Sequence, residues 1–104
     1  SEALETYRKV LSLDADNLAA NISIGNYLYL KAEREKQQLE ADYKKISAPT
    51  RMQYARYRDG LSRVMSTGYG KAREYLQKVI SQFPSTEAQK TLERIKLIEK
   101  EVNR

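Results

Sequence analysis

The sequence predicts an all-helical chain, on three observations. Its 104 residues hold four Gly and two Pro, too few breakers for a turn-rich sandwich. Apolar residues recur three and four apart in several stretches, which is the spacing of one helix face. Residues 31–40, KAEREKQQLE, are strong helix formers throughout. Hydrophobic residues at 40% and charged residues at 32% allow a packed core and argue against wholesale disorder. The length suits one compact domain or a short piece of a repeat array.

The first element is carried by Ala3, Tyr7 and Val10, followed by Ala15 and the polar turn Asp16-Asn17. Ala72, Leu76, Val79 and Pro84 repeat those offsets and run into Ser85-Thr86. The pattern begins directly at Ser1-Glu2-Ala3 without an initiator Met, which predicts a piece of a longer protein. Residues 3–17 and 69–86 resemble the second helix of a tetratricopeptide repeat and the turn after it. Ala15 stands where that family favours Pro, and Pro84 restores it. Residues 18–30 contain Ile24-Gly25-Asn26-Tyr27 and resemble the first helix of the next repeat. Asn21 replaces the family's large aromatic residue there.

Two readings compete for the middle. In a regular array a hidden repeat would lie there; Pro49 falls 34 residues after Ala15, in keeping with that period. Against it, the family pairs the Gly of a first helix with a small residue of the second, and from Gly25 that spacing reaches the polar Gln37. Near Gly60 the packing positions would be Arg56 and Asp59, poor core residues. No Gly, Pro, Asn or Asp stands between Tyr27 and Ala41 to make a tight turn. The preferred reading is one long helix over 17–46, with Glu40 and Lys44 as an i,i+4 pair. The turn Ser47-Ala48-Pro49-Thr50 then leads into a return helix over 50–66, a break in direction at 67–70, and a helix over 71–83. In this topology Gly25 is expected to meet Ala72.

The last stretch carries Ala88, Leu92, Ile95, Ile98 and Val102 as an apolar stripe, with Ser85 or Thr86 as N-cap. The expected architecture is thus a TPR-like set of antiparallel helix hairpins, a right-handed α-solenoid fragment with one long helix and a helical insertion. As domains, 1–15 would be the second helix of a truncated repeat. Residues 17–84 would form a repeat with its insertion at about 32–67, and 86–102 a terminal capping helix.

The resemblance implies peptide binding on the concave face made by first helices. Here that face would present Ile22, Asn26 and Tyr29. Asn26 matches an Asn that many family members use to hold a ligand's main chain or carboxylate. Ile22 stands where a basic residue is expected, which counts against the subtype that grips acidic C-terminal peptides. The plainer alternative makes Ile22 and Tyr29 packing residues and Asn26 a surface amide.

The turn of the hairpin is a second candidate, through Lys44, Lys45 and Arg51. After it, residues 51–58 interleave Arg with Tyr as a nucleic-acid surface might. On a helix, however, Tyr54, Tyr57, Leu61 and Val64 share one face, so inward Tyr and outward Arg suffice. A protein or anionic contact is therefore preferred there. The face of the first helix, Leu4, Tyr7 and Leu11, is expected to support self-association.

Catalysis has little support. The chain has no His and no Cys, which removes zinc sites of the N/S kind, thiolate chemistry and the commonest general base. Glu33 with Glu40, or Glu35 with Asp42, are spaced so that they could face each other as carboxylate pairs, but solvation of a charged face explains them more simply. No cofactor or metal is expected. No apolar run approaches the roughly 20 residues of a membrane span. The net charge of +5 permits acidic partners. The expected function is a protein-interaction scaffold. The alternatives are a structural spacer or oligomerisation segment and, third, a nucleic-acid adaptor.

Overall fold

The computed structural model describes residues 2–103, and among them there are helices and turns but no strand. The order is α1 Glu2–Leu13, α2 Leu18–Lys44, α3 Arg51–Val64, a π-helical turn Met65–Tyr69, α4 Gly70–Gln82 and α5 Thr86–Val102. The chain is all-α. It measures 50 × 27 × 15 Å, elongated because α2 alone is 27 residues long.

Three helix starts follow from a local side-chain oxygen. Asn17 caps α2 by accepting from the Ala20 N–H at 2.9 Å. Thr50 caps α3 in a reciprocal box with Gln53, in which each side chain accepts the other residue's backbone N–H. Ser85 caps α5 through the Ala88 N–H. With no breaker between Asn26 and the turn after Lys44, α2 runs on as one helix.

Helix α2 lies against the continuous rod formed by α3, the π-turn and α4. Gly25 faces Leu76, Ala32 faces Gly68, Leu39 faces Gly60, and Tyr43 faces Tyr57, so one antiparallel register runs the length of the pair. This corrects the expectation that Gly25 meets Ala72. The contact falls one turn later, on Leu76, and among the glycines the tightest contact is that of Gly68 with Ala32.

Nor does the chain break direction at 67–70. The residues there keep right-handed helical angles, from Val64 through Gly70, and the Gly70 N–H donates to the Met65 carbonyl across a wide turn. Hydroxyls help open the ladder: Thr67 donates to the Arg63 carbonyl at 2.7 Å and Ser66 to the same oxygen at 3.3 Å. The extra residue in the turn lets two neighbours, Gly68 and Tyr69, both face inward.

The core is the seam of this pair plus α5. Tyr29, Ala32, Val64, Tyr69, Ala72, Leu76, Val79, Ala88 and Ile95 form one buried cluster. From α5, Ala88, Ile95 and Val102 are buried, with Leu92 and Ile98 half-buried. Two polar links fasten α5: Arg73 pairs with Glu99, and the Arg58 guanidinium donates to the Val102 carbonyl at 2.6 Å. Arg58 therefore does not simply point outward; it meets the negative end of the α5 dipole. At the other end, buried Asn21 donates to the Ala15 and Asn17 carbonyls at 3.2 and 2.8 Å. The amide holds the α1–α2 turn, which gives a physical reason for a polar residue at that site.

Helix α1 packs on α2 with no residue fully buried. Leu4, Tyr7, Val10 and Leu11 are half-buried, while Leu13 is exposed. Among the described residues no helix is long and apolar enough to cross a membrane.

Candidate functional site

A cleft of 420 Å³ opens between the N-terminal half of α2 and the start of α5. One wall is Ile22, Asn26, Tyr29 and Leu30; the other is built from Ser85, Glu87, Ala88, Lys90, Thr91 and Arg94. The three residues expected on the concave face thus line one cavity. Their spacing of four and three places them on one stripe of α2.

The three differ in what they offer. Asn26 is exposed and Ile22 half-buried, so both are accessible from the cleft. Tyr29 is 8% exposed and belongs mostly to the core. Its ring meets Tyr69 edge to face, with centroids 5.9 Å apart and planes at 73°. Tyr69 is wholly buried and its hydroxyl donates to the Glu33 carboxylate. Burial, then that hydrogen bond and the Glu33 charge, hold the Tyr69 hydroxyl far above the usual tyrosine range. The back of the cleft is therefore a rigid aromatic support.

The opposite wall was not legible as a site. Lys90 and Arg94 stand one turn apart on the exposed face of α5 and put two cations across from Asn26. Their i,i+4 spacing was visible, but α5 reads as a capping helix until its neighbour is known. Glu87 adds one carboxylate to the same wall.

Lys44, Lys45 and Arg51 lie elsewhere. All three are exposed at the far end of the α2–α3 hairpin, and the structure does not bring them to the cleft. About 25 Å of helix separates Asn26 from Tyr43, at 1.5 Å per residue. A smaller notch of 220 Å³ sits at that tip, lined by Leu39, Asp42, Tyr43, Ile46, Gln53, Arg56 and Tyr57. Tyr43 and Tyr57 stack at 4.3 Å with planes 7° apart, and Tyr54 leans on Tyr43 at 6.2 Å. Tyr54, expected inward, is half exposed. Burial, with the Glu40 charge second, raises the Tyr57 hydroxyl above its ordinary value.

The charged stretch of α2 resolves into separate partnerships. Glu40 pairs with Lys36 at 3.1 Å rather than with Lys44, although both stand one turn away on the same face. Glu33 accepts from Tyr69, and Asp42 accepts from the Gln38 amide at 2.9 Å. A further depression of 740 Å³ at the α4–α5 turn, around Phe83 and Pro84, is a broad open surface.

A crystal structure from Bacteroides ovatus ATCC 8483, of a protein proposed to be protein-binding, superposes on this chain with a TM-score of 0.93. The two share 68% identity over 97% of this chain and 49% of the other. The chain spans about half the length of that protein. Comparisons with protein-family models and with curated proteins give no match.

Proposed function

We propose that this chain is part of a tetratricopeptide-type scaffold that holds a segment of a partner protein in the α2–α5 cleft. The observation that carries this reading is the cleft itself. An amide and an apolar stripe on α2 face two cations on α5, across a cavity of 420 Å³. Cavities of a few hundred Å³ with few convergent polar groups are the usual form of a binding site. The half-repeat patterns around Ala3 and Ala72 support the family reading. The Bacteroides ovatus protein, proposed to bind protein and similar over nearly all of this chain, supports the class of partner.

Recognition would use main-chain and carboxylate chemistry. The Asn26 amide can donate to a backbone carbonyl or carboxylate of the segment. Lys90 and Arg94 can pair with an acidic side chain or a terminal carboxylate, Arg in bidentate fashion. Ile22 and Leu30 would take an apolar side chain. The core-anchored Tyr29 keeps the wall in place, so little ordering accompanies binding.

The test is partner capture by the full-length protein, wild type against Asn26→Ala with Arg94→Glu. Both residues are exposed, so the fold should survive. Loss of a captured partner from the double variant is the expected result. An unchanged set of partners would refute the cleft and leave the spacer reading.

A further inference from the structure

We propose that the tip of the α2–α3 hairpin is a second docking site, which takes an acidic segment of a protein partner and seats one bulky apolar side chain in the notch. This goes beyond the cleft and does not depend on it.

The charge distribution comes first. Residues 43–58 hold Lys44, Lys45, Arg51, Arg56 and Arg58 and no acidic residue. The chain has 19 basic and 14 acidic residues, so removing these five leaves 14 of each. All of the +5 charge therefore sits in one sixteen-residue segment. Arg58 is turned to the Val102 carbonyl, whereas Lys44, Lys45, Arg51 and Arg56 are exposed around the turn. Asp42, which lines the notch and accepts from the Gln38 amide, sets one carboxylate against these four cations. Such a field draws an anionic partner and rejects a cationic one.

The notch supplies the second half of the argument. Its apolar lining is Leu39, Tyr43, Ile46 and Tyr57, and Met52 and Tyr54 stand exposed beside it. At 220 Å³ it lies below the roughly 300–1,000 Å³ of small-molecule sites, a fit for a single side chain. The Thr50–Gln53 capping box fixes the turn, so the notch is preformed. Protein is favoured over single-stranded nucleic acid by the aromatic geometry. Tyr43 and Tyr57 each spend one ring face on the other and Tyr54 tilts against Tyr43, so the rings form a compact cluster rather than a row on which bases could stack. A concave seat for one side chain likewise suits a peptide better than a lipid surface.

The experiment is selection of displayed random short peptides against the full-length protein, followed by affinity measurement of the enriched sequences. The triple variant Lys44→Glu, Lys45→Glu, Arg51→Glu changes only exposed groups and serves as the first control. Enriched sequences should be acidic with a bulky apolar residue. They should bind the triple variant at least about tenfold more weakly, and weaken with added salt. Replacing their apolar residue by Ala should cost a similar factor. The Asn26→Ala, Arg94→Glu variant should bind them unchanged, so this result stands or falls apart from the cleft. Four outcomes would overturn the proposal. These are no tip-dependent enrichment, enrichment of non-acidic peptides, indifference to the apolar residue, and tighter tip-dependent binding of oligothymidylate or phosphatidylserine vesicles than of any peptide.

Discussion

Substitution of Gly68 by Ala tests the tightest of the four glycine contacts. A methyl group at Gly68 would lie 2.6 Å from the Ala32 Cβ and 3.4 Å from its Cα. Ala32 has no rotamer with which to retreat, so the rod and α2 must separate. An ordinary carbon contact is about 3.5–4.0 Å, which demands a shift of roughly 1 Å. Overpacking of this kind costs about 1–3 kcal/mol, and here the upper part of that range applies because backbone must move. Ala returns about 1 kcal/mol of helix propensity at most, less in a π-turn. The net is a loss of roughly 1–2 kcal/mol, or about 5–15 °C in Tm for a domain of this size. Gly60→Ala is the internal control. Its methyl would meet only the Leu39 side-chain end, at 2.9 Å, and that half-buried side chain can rotate away. The expected change is near zero or slightly stabilising. Urea and thermal unfolding by circular dichroism of both variants give the comparison. A Gly68→Ala protein as stable as wild type, or no better with Ala32→Gly added to it, would refute this account of the interface.

The remaining predictions concern polar groups. Because the folded-state Tyr69 hydroxyl titrates far above the unfolded value of about 10, the folded form retains its proton when the unfolded chain loses it. Its contribution is complete below about pH 10 and declines above it, by up to about 1.4 kcal/mol per pH unit. Wild type should thus lose stability more steeply than Tyr69→Phe in urea titrations above pH 10; equal slopes would refute the assignment. Arg58→Met should lower stability by about 1 kcal/mol through loss of the charged cap on the Val102 carbonyl, with faster amide exchange confined to the end of α5. Exchange unchanged there would show that the cap contributes nothing.

Several features of the fold were open to reading in one dimension. Helix type followed from 3.6-residue periodicity, scarce breakers and local caps, because those act within a few residues. The stripe Ile22, Asn26, Tyr29 was singled out by the resemblance of α2 to the first helix of a tetratricopeptide repeat, not by periodicity. What failed was whatever depends on which turn of one helix meets which turn of another. Gly25 meets Leu76 and not Ala72, since the register is set by the whole length of the pair, from Tyr43 and Tyr57 down to Gly25. Glu40 could pair in either direction along α2, and only the structure chose Lys36.

The residues at 67–70 show the boundary most clearly. Thr67-Gly68-Tyr69-Gly70 has the composition of a break, and local chemistry does loosen the ladder there. Yet burying Tyr69 and bringing Gly68 against Ala32 stabilises a continuous helix with one widened turn. The sequence by itself determined an all-helical chain and the starts of α2, α3 and α5, while a family resemblance singled out Ile22, Asn26 and Tyr29. Only the tertiary structure decided the second wall, where Lys90 and Arg94 of α5 stand opposite Asn26. The physical reason is range: capping and periodicity are near-neighbour effects, whereas a cleft between helices exists only once packing has fixed their separation.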